Sequence, residues 1–201
     1  MPPLAKRKRK ACFALLALVA ALILSTGVRA EELVVTLDPA RTEIHYMLGA
    51  VAHTVHGTFK LKSGAIRFDP ATGKVSGSIV VDATTGNSGN DGRDSKMHRE
   101  ILESQKYPEI VFTPQQVKGT VNQQGASQIE VSGIFRLHGQ DHQVTLPLAL
   151  QLNGPEATAS TQFSIPYQQW GLKNPSTFIL RVKDTVDLDI HAVAHVSPAS
   201  K

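Results

Sequence analysis

Apolar side chains recur at every second position through much of the chain. Ile44, Tyr46 and Leu48 alternate with Glu43, His45 and Met47, and Val55, Gly57, Phe59 and Leu61 alternate with Thr54, His56, Thr58, Lys60 and Lys62. The same period runs through Ile129, Val131, Gly133, Phe135 and Leu137, set between Glu130, Ser132, Ile134, Arg136 and His138. A last even-numbered series takes in Leu180, Val182, Val186, Leu188 and Ile190. Successive side chains of a strand point to opposite faces, so this pattern predicts strands with one face buried and one solvated, as in antiparallel sheet. Turn-forming clusters separate the runs: Asp38-Pro39, Asp69-Pro70-Ala71-Thr72-Gly73, Gln123-Gln124-Gly125, His138-Gly139-Gln140-Asp141 and Asn153-Gly154-Pro155. The expected fold is all-β: an antiparallel up-and-down barrel of about eight strands, whose closure removes exposed edges. A barrel of that size is about wide enough to hold one small ligand.

One stretch breaks the alternation. Over residues 91–104, DGRDSKMHREILES, the apolar positions are Met97, Ile101 and Leu102, spaced as one face of a helix. Asp91 and Asp94 sit where a helix start favours negative charge. The preceding ATTGNSGN reads as a polar loop able to hinge, and the following KYPEIVF as a turn and a strand. A single amphipathic helix has an evident place on such a barrel: across an open end, apolar face inward.

The N-terminus has a different character. Lys6 to Lys10 form a basic run, Ala11 to Leu24 an apolar run, and Val28-Arg29-Ala30 puts a small residue before a plausible cleavage point. This is the layout of a secretory signal peptide, and the apolar run is shorter than the roughly 20 residues that span a bilayer. The alternative is an uncleaved anchor. Cys12 lies at the start of the apolar run, not at its end, which disfavours a lipid attachment site. The expected division is a signal peptide at 1–30, a barrel at 31–196 and a polar tail at 197–201, with the mature protein periplasmic and free of transmembrane segments.

Removing residues 1–30 inverts the charge. That segment holds six of the 21 Lys and Arg and none of the 17 Asp and Glu, leaving 15 basic against 17 acidic side chains, a net charge of −2. Electrostatic attraction to nucleic acid loses its support. Cys12 is the one cysteine, so the mature chain has neither a disulfide nor a thiolate to work with.

Four segments in order carry a resemblance: DPARTEIHYML; HTVHGTFKLKSGAIRFDPATGKVSGSIVVDA; TGNSGNDGRDSKMHREILESQKYPEIVF; and VSGIFRLHGQDHQVTLPL. The chain resembles the YceI-like family of secreted, lipocalin-like barrels that bind polyisoprenoid and related lipids, over about residues 34 to 193. It departs from the usual pattern at Gly49-Ala50, where relatives carry a His; at His53, where they carry a Ser; and in the helix, where aliphatics replace aromatics. The resemblance implies a non-enzymatic carrier, without cofactor, that holds a long-chain isoprenoid or fatty lipid in the barrel lumen. It leaves the oligomeric state open, a homodimer included.

The inward parity and the helix face together give the candidate ligand-binding residues. They are Ile44, Tyr46, Leu48, Val55, Phe59, Ile66, Phe68, Ile79, Val81, Phe135, Leu137, Leu188 and Ile190 from strands, and Met97, Ile101 and Leu102 from the helix. Arg93 joins them, because a guanidinium suits a phosphate or carboxylate head group. Its other reading is a tie holding the loop to the barrel rim. Asp94 and His98, four apart, are spaced to interact on a helix. A metal site from His53, His56, His98 and Asp94 is the poorer reading, since His53 and His56 point to opposite faces of an extended segment. His138 and His142 flank a hairpin turn and, with His191 and His195, are expected to be solvated. No G-x-S-x-G elbow or nucleophile–base pair supports catalysis. An envelope protein acting through its surface remains the alternative to a lipid carrier, and a heme- or metal-associated enzyme ranks behind both.

Overall fold

The computed structural model describes residues 31–51, 53–176 and 181–199. Residues 1–30, expected to be a signal peptide, and Leu180 of the last apolar series lie outside the described residues. Among the described residues nine strands run in chain order: β1 Leu33–Leu37, β2 Glu43–Gly49, β3 Thr54–Phe68, β4 Val75–Asn87, β5 Glu109–Lys118, β6 Gly125–Leu137, β7 Gln140–Asn153, β8 Glu156–Ile165 and β9 Val186–Pro198. From β3 to β9 each strand pairs antiparallel with the next. β1 and β2 each pair with both β3 and β9, and so close the ring.

The ninth strand does not add a ninth stave. β1 takes the Ala65–Phe68 end of β3 and the Ala194–Pro198 end of β9, while β2 takes their opposite ends, Thr54–Phe59 and Asp187–His191. They are two halves of one stave, interrupted at 38–42, where the Asp38 carboxylate accepts from the Ala40 amide at 2.9 Å. The architecture is therefore a closed eight-stave antiparallel barrel with one short helical segment between β4 and β5. β9 pairs with β1 through Pro198, so Ser197 and Pro198, expected in a tail, belong to the barrel wall.

Inward positions follow the period-two rule within each stave and change parity where a bulge intervenes. In β3, Val55, Phe59 and Leu61 face the lumen from odd positions, and Ile66 and Phe68 from even ones. The register shift between Leu61 and Ser63 accounts for the change, because one extra residue turns every later side chain to the other face. β5 does the same: Ile110, Phe112 and Pro114 face inward, then Val117, with the shift between Pro114 and Gln116.

Outward positions are mostly polar, with apolar exceptions such as Val80, Val111 and Ile134. Glu43, His45, Thr58, Lys60, Lys62 and Arg67 stand exposed on β2 and β3, and Ser160, Gln162 and Ser164 bond to His191, Asp189 and Asp187 along the outside of β8 and β9. The apolar face of this barrel is the inner one, the reverse of a barrel wrapped in lipid. Among the described residues no helix is long and apolar enough to cross a membrane.

Packing is concentrated at the two ends. At the helix end Phe135, Leu137, Ile165, Tyr167 and Leu172 are buried against Ile101, Leu102, Phe163 and Trp170. At the other, Leu152, Ala157 and Ala194 gather Val35, Leu37, Val121, Leu150 and Val196. Phe135 is 7% exposed and meets Phe163 edge-on and Trp170 at 5.8 Å between ring centroids. Phe59 is only half-buried and faces the lumen. Phe135→Ala is expected to cost about 3–5 kcal/mol and Phe59→Ala no more than about half as much, because open space already lies beside its ring. Urea unfolding of the two variants checks this; equal losses would mean that the lumen is packed around Phe59.

Candidate functional site

The barrel encloses a cavity of about 670 Å³, within the size range of small-molecule sites. Strand side chains line it from all eight staves, nearly all of them aliphatic or aromatic. No large side chain among the described residues is less than 2% exposed. Ordinary interiors are close-packed; here the inward side chains stay partly accessible because they border a void.

All seventeen candidate residues border this cavity. They divide in two. Ile44, Tyr46, Phe135 and Leu137 are buried, whereas Leu48, Val55, Phe59, Ile66, Phe68, Ile79, Val81, Leu188 and Ile190 remain half-buried and form the open wall. Further groups of lining residues went unread in the sequence, Leu33, Val35 and Leu37 of β1 among them. β7 contributes Leu146, Leu148, Leu150 and Leu152; β8 contributes Ala157, Ala159, Phe163 and Ile165; β5 contributes Ile110 and Phe112. The same alternation marks them, diluted in β8 by alanines and Thr161 and cut short in β5 by its bulge.

The helix closes one end, in a form the sequence pattern only partly describes. It is an α-helix, α1, over Asp91–Lys96, followed by a π-helical turn over Met97–Ile101, and not one α-helix to residue 104. The Asn90 side chain caps α1 by accepting from the Arg93 amide at 2.9 Å. The Leu102 amide donates to the Met97 carbonyl at 2.8 Å, five residues back. That wider turn brings Met97, Ile101 and Leu102 together on the cavity. Gly86 of β4 makes room beneath, since a Cβ there would lie 2.6 Å from the Phe59 ring and 2.7 Å from the Met97 methyl.

Polar ties fasten this lid to the rim. His98 Nε2 lies 2.8 Å from the Gly86 carbonyl, which can only accept, so Nε2 carries a proton. Nδ1 lies 3.0 Å from the hydroxyl of the buried Ser104, and in the neutral ring it accepts from that hydroxyl. Ser88 is held from two sides: its amide and hydroxyl donate to the Asp94 carboxylate, while Arg93 donates from Nε to its hydroxyl at 2.7 Å and from Nη2 to its carbonyl at 3.0 Å. Asp94 and His98 thus bond elsewhere and not to each other. The supposed hinge loop is largely strand: β4 runs to Asn87, and Ser88 is clamped.

Arg93 therefore acts as the rim tie and also borders the cavity. The Tyr46 hydroxyl donates to Met97 Sδ at 3.6 Å, and burial raises its pKa. Tyr167 donates to the Lys183 carbonyl at 2.6 Å, and burial pushes its phenol up to about 12.

Two histidines depart from the solvated expectation. His138 Nε2 meets the Glu103 carboxylate at 2.7 Å and its ring packs on Tyr107. His142 sits on the inward parity of β7, stacked on Trp170 with ring centroids 4.0 Å apart. Both are drawn in by the segments that cross the barrel end, which the local alternation does not reveal. His191 and His195 are exposed. Among the described residues no group of three or more His, Cys, Asp or Glu is arranged to hold a metal ion.

The geometry defines a class first: a lidded, lipocalin-like barrel with an apolar lumen. A family model described as the YceI-like domain matches residues 35–194, and the chain belongs to the YceI-like family. Solved structures share the fold at low identity. BcnA of Burkholderia cenocepacia superposes with a TM-score of 0.64 at 18% identity, covering 78% of this chain and 98% of that one. A polyisoprenoid binding domain from Saccharophagus degradans, implicated in plant cell wall breakdown, gives 0.58 at 16%, covering 81% and 98%. A Campylobacter jejuni YceI protein gives 0.55 at 18%, covering 66% and 79%. No curated protein matches the chain.

The raised Tyr167 phenol generates an alkaline signature. Between the unfolded value near 10 and about 12, the unfolded state has lost a proton that the folded state keeps, so stability falls as pH rises through that window. Ultraviolet phenolate titration should show a component near pH 12 that Tyr167→Phe deletes. Survival of that component in the variant would assign it to another tyrosine.

Proposed function

We propose that the protein is an exported carrier that holds the long apolar chain of an isoprenoid or similar lipid in its lumen. The observation that carries this reading is the open apolar cavity of about 670 Å³ lined from every stave. Each methylene removed from water contributes about 0.8 kcal/mol, so a chain of roughly ten carbons binds well with no specific polar contact. The naming of the Saccharophagus degradans relative as a polyisoprenoid binding domain supports an isoprenoid. The basic and apolar runs at Lys6–Leu24 support export, with the carrier working in the periplasm. The chemistry is binding alone: the lumen offers a lipid tail apolar contact from side chains that are nearly all aliphatic or aromatic.

Native mass spectrometry of protein purified from its own host, followed by solvent extraction, tests the reading. The expected result is an adduct that extracts as a prenyl or long-chain lipid, on a chain that begins near Glu31. Protein at bare mass that also ignores added lipid would overturn it.

A second outcome concerns the lid. Ile101→Asp places a carboxylate against the cavity wall, where an unpaired charge is costly, and opening the lid relieves that cost. The variant should keep its β-sheet circular dichroism and lose bound lipid. Retention of lipid at the parent level would show that the helical segment does not close the lumen.

A further inference from the structure

We infer that the outer surface of the lid end docks on an anionic lipid bilayer, with Val51 as the apolar contact and Lys173, Arg181 and Lys183 as the charged ones. The inference leaves the lumen and concerns the outside of its mouth. Outside the strands, the described residues at the lid end carry seven Lys and Arg against five Asp and Glu, a net charge of +2. The charged ones at the far end are Glu31, Glu32, Asp69 and Lys74, a net charge of −2. The barrel is thus polarised along its axis, positive at the mouth, and such a field orients a protein on a negative surface.

Two segments build the patch. The β2–β3 turn carries Val51, which is 80% exposed and the one large hydrophobic side chain so exposed among the described residues. Residues 181–183 run beside it. The Val51 amide donates to the Arg181 carbonyl at 3.1 Å, Ala50 pairs with Val182, and the Lys183 amide donates to the Gly49 carbonyl at 2.8 Å. The Lys183 stem lies over Gly49, where a Cβ would come within 2.9 Å of its Cδ. Asn174, next to Lys173, donates from Nδ2 to the Val182 carbonyl at 3.3 Å and so brings Lys173 to the same rim. Ala50, His53 and Val182 of these segments border the cavity, so a bilayer held here meets the edge of the lumen.

The charges of the patch are uncompensated. Elsewhere Arg41, Lys62, Arg67 and Arg136 are matched by Glu156, Glu109, Glu32 and Asp141. Lys173, Arg181 and Lys183 are exposed and form no ion pair among the described residues, and the carboxylate beside them, Asp184, is exposed as well. Lys60, Lys74 and Lys118 also lack an ion pair, but they are scattered over the wall and the far end, away from Val51. Basic side chains around an apolar one match the boundary of a bilayer, phosphates outside and acyl chains within. An acidic protein is the poorer fit, because one valine supplies no apolar centre for an interface of roughly 1,000 Å².

Sedimentation with sucrose-loaded vesicles at low salt tests this on protein purified from its own host. It reads the outer surface and needs no guest in the lumen, so its failure leaves the lumen reading standing. Vesicles of equimolar phosphatidylglycerol and phosphatidylcholine should carry the parent down, phosphatidylcholine alone should not, and raised salt should release it. The triple variant Lys173→Gln, Arg181→Gln, Lys183→Gln should bind about a hundredfold more weakly, at about fivefold for each charge. Val51→Ser should weaken binding with the charges intact. The control Lys60→Gln, Lys74→Gln, Lys118→Gln removes the same charge elsewhere and should bind as the parent does, with circular dichroism checking that each variant keeps its fold. Indifference of the parent to anionic vesicles would overturn the inference, as would equal losses in the two triple variants, which would reduce the effect to net charge. An unchanged Val51→Ser would overturn Val51 as the apolar contact. Retention on soluble polyglutamate through Lys173, Arg181 and Lys183, without vesicle binding, would assign the surface to an acidic protein and overturn it too.

Discussion

The structure depends on one geometric constraint: a sheet closed at eight staves sets a bore that its side chains do not fill. Stave number and tilt fix the diameter of a barrel, and at this size an interior stands between filled and hollow. Here the choice falls on hollow. Aromatic rings gather around Phe135 and Trp170 at one end and aliphatic side chains around Leu152 at the other, and half-buried side chains, Phe59 among them, wall the open space. The apolar surface left facing that void has a standing free-energy cost, which an apolar guest relieves.

The lid follows from the same constraint. An apolar bore that opens to water must be covered, and a strand cannot cover it without leaving backbone groups unpaired. α1 and the π-helical turn satisfy their own backbone groups while presenting Met97, Ile101 and Leu102 inward. Ile101 and Leu102 pack on the Phe135 cluster, and side-chain bonds add to that hold: His98 between Gly86 and Ser104, and Arg93 and Asp94 around Ser88. Met97 adds a flexible thioether that can adapt to the end of a guest chain.

Much of this was legible in the residues. Period-two alternation is a local property, so the inward face of β2, β6 and the first part of β9 could be read directly, and every candidate residue borders the lumen. The wall contributed by β8 was harder to see because Ala157, Ala159 and Thr161 weaken the apolar contrast. What escaped was non-local. Whether Phe59 borders a void or a neighbour depends on the bore, which no single strand encodes. The interrupted stave arises only because β1 and β2 pair with opposite ends of the same two partners. The π-helical turn shares its i, i+4, i+5 spacing with an α-helix face, so periodicity alone did not separate them. His138 and His142 looked exposed because the segments that cover them, near Glu103 and Trp170, are distant in sequence or fold back across the barrel end.

An open, accessible lumen is the central claim, and thermal unfolding of lipid-stripped protein in rising geranylgeraniol tests it most directly. A guest held only by the folded barrel stabilises it by about 1.4 kcal/mol for each tenfold excess over its dissociation constant, so the melting temperature should climb steadily with the logarithm of ligand concentration. A melting temperature unchanged at every concentration would contradict the claim, because a barrel filled by its own side chains has nothing to gain from the guest.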